Sequence, residues 1–339
     1  MARIVDVARE AGVSTATVSR VLNGKDVNRE LAAKVRSAVE NLGYIPDRTA
    51  RSLRRGASDV VALVLPDIEN PFFTAVARGV EDVLHGAGYS VVLCNTDDDP
   101  GKEGRYLGVA EHENMAGVLI APASGQPQLD ALLDRGRAVV VLDRQVERPV
   151  DQVAFDNQAL GERCARELLA SGFHRIACIT GPVGTRTAIE RASGWSRALG
   201  AVGVDAPEDL LVHANFRVDG GYEALAHLLD LPEPPDAVLA TNNLVGVGVL
   251  RALADSHVAL TGHGRGDSAG APVPGGAVGV GIIGDLPFAT SRTTDVHLVP
   301  LNPRALGTTA AQLLLERLTD PGSPVRSIVQ TVAPVGARH

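Results

Sequence analysis

Residues 9–24 read REAGVSTATVSRVLNG. Apolar side chains recur at helical spacing on both sides of its centre: Val5, Ala8 and Ala11 before it, Val18, Val21 and Leu22 after it. Between them stands Ala11-Gly12-Val13, where glycine can take the left-handed conformation that turns a chain sharply, and Ser14 follows at an N-cap position. A third helical stretch carries Leu31, Val35, Ala38, Val39 and Leu42. The reading is three short helices around one small core, the first two forming a helix-turn-helix.

Charge supports a separate head. The chain of 339 residues has a formal net charge of −8, but residues 1–58 hold 11 Lys+Arg against 6 Asp+Glu, leaving 21 against 34 for the rest. Polyanion binding needs local positive charge, so it is expected in the head and not in the acidic body. The opening MARIVDVAREAG carries charges where a signal peptide needs an apolar run. No stretch reaches the ~18 apolar residues of a membrane span, so a cytoplasmic protein without a membrane partner is expected. Cys94, Cys164 and Cys178 are far apart and odd in number, which reads as three reduced thiols.

From Asp59 the pattern changes. Short β-branched runs at 60–66, 90–95, 116–122, 138–143, 175–180, 236–241 and 278–284 alternate with helical stretches such as 72–87, 158–172, 186–200, 217–229, 243–255 and 304–318. Such alternation implies parallel sheets covered on both faces. About 280 residues is long for one such sheet, so two doubly wound lobes are expected, with a ligand in the crevice at the strands' C-terminal ends. The fold class is thus an all-α helix-turn-helix head plus an α/β body of two parallel-sheet lobes.

On the second helix Thr15, Ala16 and Arg20 share one side, either facing base edges or forming the solvated face of a small bundle. Residues 46–56, PDRTARSLRRG, are arginine-rich with Leu53 as their one large apolar side chain. A helix this short is marginal alone, and a plain charged linker is the other reading. Together REAGVSTATVSRVLNG and ENLGYIPDRTARSLRRG (40–56) resemble the lactose-repressor (LacI/GalR) family of transcriptional regulators, and the likeness extends over nearly the whole chain. It implies that Thr15, Ala16 and Arg20 read the major groove, Arg20 pairing with guanine and Ala16 and the Thr15 methyl meeting a thymine methyl. Ser14, Thr17, Ser19 and Asn23 would serve phosphates or caps. Residues 46–58 would be a hinge whose Leu53 pries open a base step, with Ala50 permitting close approach of two hinge helices.

Aromatics make up 3% of the chain, so the phenylalanines' positions are informative. Asn70-Pro71-Phe72-Phe73 ends the first body strand and opens a helix, putting two ring faces and an amide at a crevice edge. Asp143-Arg144 follows a strand, so a carboxylate and a guanidinium emerge together, fit to hold adjacent hydroxyls. The body resembles ribose-binding-type, periplasmic-binding-protein-like sugar domains. That likeness adds Arg191, Phe216 and Asn242 as sugar contacts of the second lobe. It also exposes one departure: where the family commonly has a sugar-binding aspartate this chain has Gly284, so either the neighbouring Asp285 compensates or one sugar hydroxyl goes unread. Trp195, inside a helix, reads as core.

Two look-alike motifs lack their context. Gly279-Val280-Gly281-Ile282-Ile283-Gly284 fits a dinucleotide fingerprint but occupies a strand, and Gly266-Asp267-Ser268-Ala269-Gly270 fits a nucleophile elbow without the strand and helix it needs. His257, His263 and Asp267 match no metal-ligand spacing. No enzyme, metal site or cofactor is expected. A transport component would share the body but should carry a signal peptide and lack the head.

The expected organisation is residues 1–45 as DNA-binding domain, 46–58 as hinge and 59–339 as effector-binding and dimerisation domain. Within the last, one lobe takes about 59–156 plus 287–318 and the other about 157–286 plus 319–339. The expected partners are double-stranded operator DNA, a small sugar effector and a second copy of the chain.

Overall fold

A computed structural model describes residues 2–22, 26–44, 58–264, 277–286 and 295–331. It divides into two compact units, 1–58 and 59–339.

In the first unit, α1 (Ile4–Ala11), α2 (Thr15–Leu22) and α3 (Arg29–Asn41) surround a core of Val7, Ala8, Ala11, Val18, Val35 and Ala38. Gly12 ends α1 with φ +65°, the left-handed turn that its lack of a Cβ makes cheap. Ser14 Oγ accepts from the Thr17 amide at 3.1 Å and so caps α2. Asn28 caps α3, accepting from the Glu30 amide at 2.8 Å. One expectation is corrected: Val5 is 48% exposed whereas Val7 is fully buried. Steps of three residues each fall about 60° short of a full turn, so Val5, Ala8 and Ala11 drift off one face, while Ile4, Val7, Ala8 and Ala11 hold it.

The second unit contains two parallel sheets. The first comprises β1 (Val60–Leu65), β2 (Ser90–Asn95), β3 (Gly117–Ile120), β4 (Ala138–Leu142), β5 (Asp151–Phe155) and β11 (Ser327–Gln330), in the order β11-β5-β4-β3-β1-β2. The second comprises β6 (Ile176–Thr180), β7 (Leu211–His213), β8 (Ala237–Ala240), β9 (Gly279–Ile283) and β10 (Val296–Val299), in the order β10-β9-β8-β6-β7. Helices α4 (Pro71–Gly86), α5 (Pro100–His112), α6 (Asp130–Asp134), α7 (Asn157–Ala170), α8 (Arg186–Gly200), α9 (Val218–Leu229), α10 (Asn243–Asp255) and α11 (Pro303–Thr319) connect the strands. Strands β3, β4, β6, β8 and β9 are buried throughout, as sheets covered on both faces require.

The lobe limits differ from the expectation in the last third of the chain. Val296–Val299 pairs with Val280–Ile283, so 296–299 belong to the second sheet, and Ser327–Gln330 pairs with Gln152–Phe155, so the chain's last described strand completes the first. The chain therefore crosses between lobes at Asp156 and at 300–302. Both crossings end in a helix cap: Asp156 accepts from the Ala159 amide at 2.9 Å, and Asn302 from the Ala305 amide at 3.0 Å. Asp151, buried at the start of β5, takes two bonds from Arg317 at 2.9 and 3.1 Å and fixes α11 to the first sheet.

Trp195 is buried and its Nε1 donates to the Ile176 carbonyl at 3.1 Å, as a core position requires. All three cysteines are free and buried, and burial pushes their thiols above the ordinary value, which makes them poor nucleophiles. Gly279–Ile283 lies within a strand rather than a phosphate-binding turn. The segment 266–270 lies outside the described residues.

Candidate functional site

The C-terminal ends of the parallel strands face a cleft with a cavity of about 170 Å³. All nine residues singled out as ligand contacts line it: Asn70, Phe72, Phe73, Asp143 and Arg144 from the first lobe, and Arg191, Phe216, Asn242 and Asp285 from the second. All but Arg191, which lies in the second turn of α8, sit where a strand ends or the following helix begins, the place where doubly wound sheets bind ligands.

The aromatic wall is built by α4. Asn70 caps that helix through its Oδ1, 2.9 Å from the Phe72 amide, and Pro71 occupies the first turn, where its missing N–H costs nothing. Phe72 and Phe73 meet edge to face with centroids 5.0 Å apart, and Phe72 also abuts Phe155 at 6.3 Å. From the other lobe comes Phe216, held at φ +59°, with its ring over Gly181. A non-glycine residue in that conformation is strained, and such strain concentrates at binding sites. Asn242 makes two structural bonds: Oδ1 caps α10 at 2.8 Å from the Val245 amide, and Nδ2 donates to the Phe216 carbonyl at 2.9 Å. It therefore positions Phe216.

The polar wall is buried. Asp143, also left-handed at φ +63°, has one carboxylate oxygen without a hydrogen-bond partner among the described residues. Burial raises its pKa above the usual carboxylate range, while Arg191 and Arg144 oppose the shift. Arg144 forks onto both carboxylate oxygens of Asp98 and also donates to the Pro122 carbonyl at 3.1 Å. Arg191 donates to Asn157 Oδ1 at 2.9 Å and to the Thr241 carbonyl at 2.6 Å. A carboxylate from one lobe and a guanidinium from the other thus approach the same cavity, each able to bond a hydroxyl.

Sequence reasoning missed Asp67, Asp98 and Arg217, which also line the cleft. Arg217 reaches across it to Asp67 at 3.5 Å. The signal for Asp98 was the run Asp97-Asp98-Asp99 between a strand and Pro100, where Asp99 caps α5 at 2.8 Å from the Lys102 amide and Asp98 is left to turn inward. At the departure site, Gly284 supplies only backbone, its amide donating to the Val299 carbonyl at 2.8 Å, and Asp285 stands beside it in the lining.

In the head, Ser14, Thr15, Ala16 and Arg20 are exposed, whereas Thr17 and Ser19 are partly covered. Thr17 Oγ1 lies 3.0 Å from Ser14 Oγ, so both hydroxyls belong to the cap. Asn23, Ala50 and Leu53 lie outside the described residues, as does all of the expected hinge before Ser58.

A helix-turn-helix head on a chain with a two-lobed, ligand-cleft body defines a DNA-binding transcriptional regulator. The family model for bacterial regulatory proteins of the lacI family matches residues 3–47, and the model for periplasmic binding proteins and the sugar-binding domain of the LacI family matches 58–269. The ribose operon repressor of Escherichia coli strain K12 is 33% identical over 327 residues, spanning 95% of this chain and 94% of that protein. A solved complex of the transcriptional regulator CelR with cellobiose is 30% identical with a TM-score of 0.69, covering 98% of this chain and 97% of that one. The lac repressor dimer bound to operator and the anti-inducer ONPF shares the fold, with a TM-score of 0.82 at 20% identity and coverage of 98% and 97%. The chain belongs to the LacI family of bacterial regulators, a regulatory and not a catalytic family. No described helix is long and apolar enough to cross a membrane.

Proposed function

We propose that the chain is a homodimeric repressor that a small, ribose-like sugar releases from a pseudo-palindromic operator. The observation that carries this reading is the cleft in which three phenylalanines, Phe72 and Phe73 of α4 and Phe216 of the other lobe, meet the buried Asp143 and Arg191. Ring faces stack on the C–H face of a pyranose or furanose, and the carboxylate and guanidinium take hydroxyls at its edge. The ribose operon repressor and the CelR–cellobiose complex support a sugar as effector.

In this reading Thr15, Ala16 and Arg20 read bases in the major groove, and Ser14, Thr17, Ser19 and Asn23 position the head. Residues 46–58 form a hinge that inserts Leu53 at a central base step, with Ala50 between the paired helices. One head offers too few contacts for operator-level affinity, so two act together, joined through the first lobes. Sugar binding changes the angle between lobes, separates the hinges and lowers DNA affinity; sugar and operator are reciprocally coupled.

The test is a thermal-shift panel of pentoses, hexoses, cellobiose and sugar phosphates on the full chain. A true effector at about 100 times its dissociation constant adds ~2.7 kcal/mol of stability. That sugar should also release the protein from its own promoter DNA in a retardation assay at about 100 mM salt. A panel without any shift, or a shift without release, overturns the reading.

A further inference from the structure

The charge in the cleft says more about its ligand than the aromatic wall does. Among the described residues lining it, four carboxylates (Asp67, Asp98, Asp143 and Asp285) face three guanidiniums (Arg144, Arg191 and Arg217), and no lysine or histidine joins them. Two of the guanidiniums are paired with carboxylates, although Arg144 keeps a buried Nε without a partner among the described residues. Arg144 grips Asp98 through two nitrogens, and Arg217 is paired with Asp67 at 3.5 Å. Arg191 spends its Nε on Asn157 and one terminal nitrogen on the Thr241 carbonyl, and the nearby Asp143 carboxylate balances its charge.

The second source of anion affinity in such folds is the helix N-terminus, where orphan amides converge. Three of those ends are closed from within, while α8 and α9 begin at the cleft without a side-chain cap. Asn70 and Asn242 accept from first-turn amides of α4 and α10 at 2.9 and 2.8 Å, and Asn302 does the same for α11 at 3.0 Å. Helices α4 and α11 also begin with proline, which has no amide proton to give.

Resting on the sugar reading above, we propose that the effector is an uncharged polyhydroxy compound, and that the cleft selects against its phosphorylated or carboxylated counterparts. An added phosphate meets described lining residues with one negative charge in excess, and to recruit Arg144 or Arg217 it must break that guanidinium away from a carboxylate. Asp98 is the specificity-determining residue in this scheme, because it neutralises the arginine that an anion would otherwise recruit.

The experiment is calorimetric titration of the full chain with matched pairs: D-ribose and D-ribose 5-phosphate, D-glucose and D-glucose 6-phosphate, D-fructose and D-fructose 1-phosphate. The neutral member of the binding pair should bind at least about tenfold more tightly than its phosphate. A phosphate that binds as tightly as its neutral partner overturns this inference alone. Silence from every pair overturns the sugar reading and this inference together. Asp98→Asn, checked for folding by its melting curve, should narrow the neutral-over-phosphate ratio, while Asp98→Glu should keep it. An unchanged ratio in Asp98→Asn overturns the role of Asp98.

Discussion

The carbonyl oxygen of Arg191 lies 2.0 Å from where a Cβ on Gly161 would stand, so α7 and α8 touch backbone to backbone at the residue that carries the second lobe's guanidinium. Gly194, on the same helix as Arg191, meets the Gln158 carbonyl in the same way. The bonds from Arg191 to Asn157 and Thr241 depend on this spacing. Gly161→Ala should push α8 outward, cost roughly 1–3 kcal/mol in stability and weaken sugar binding. Sugar titration and denaturant melts on the same variant check this; a stability loss with unchanged sugar affinity would separate the helix contact from the site.

Asp143 gives a prediction with a sign. Its pKa is raised in the folded protein, by burial first, with Asp98 and Glu190 adding and Arg191 and Arg144 opposing. The folded state then holds this proton more tightly than the unfolded chain, so the group's contribution to stability falls as pH rises from the ordinary carboxylate range through the raised value. Asp143→Asn should melt above the parent at neutral pH, with the gap closing as the pH drops below about 4. Glu103 and Asp285 are also raised and leave a residual pH dependence in both proteins. Sugar affinity should fall by about 10- to 100-fold, the worth of a hydrogen bond to a charged group. A variant no more stable than its parent at neutral pH would contradict this account.

Arg144→Ala strips Asp98 of its forked partner. Operator binding should persist while release by sugar is lost, and stability should drop by roughly 1–3 kcal/mol as a partly buried carboxylate loses its donors. Retardation with and without sugar reads out both effects.

Arg20 stands exposed on α2 beside Thr15 and Ala16. Arg20→Ala should weaken operator binding by about 1–3 kcal/mol and relax preference at one base position. Uniform weakening across all sequences would make Arg20 a phosphate contact instead.

Much of this site was legible because the alternation of strands and helices carries its own address: Asn70, Asp143, Asn242 and Asp285 each follow a β-branched run. The helix-turn-helix was legible from Gly12 and Ser14 set between two runs of helical apolar spacing. What stayed hidden was long-range. DQVAF (151–155) reads poorly as a strand because it begins with two polar residues, yet both are buried: Asp151 is bonded to Arg317, and Gln152 accepts from the Val146 amide at 2.8 Å. Strand β11 is a half-exposed four-residue edge whose partner lies far back in the chain, so neither length nor periodicity announced it. Asp98 was obscured by two neighbouring aspartates with different tasks. The inward face of α1 was misjudged because Ile4 and Val5 are both apolar and a spacing of three admits either.

The return of α11 and β11 to the first sheet has a consequence for how the molecule is made. The second lobe is one uninterrupted piece of chain, from Asn157 to Val299, and can finish as soon as it leaves the ribosome. The first lobe waits: α4 lacks its packing partner until Thr319, and β5 its edge neighbour until Gln330, has been synthesised. At about 5–20 residues per second that delay is roughly 10–35 s, during which an apolar sheet face stands uncovered. The lobe that begins first is completed last, so nascent chains stopped before Pro303 should be the ones that chaperones hold.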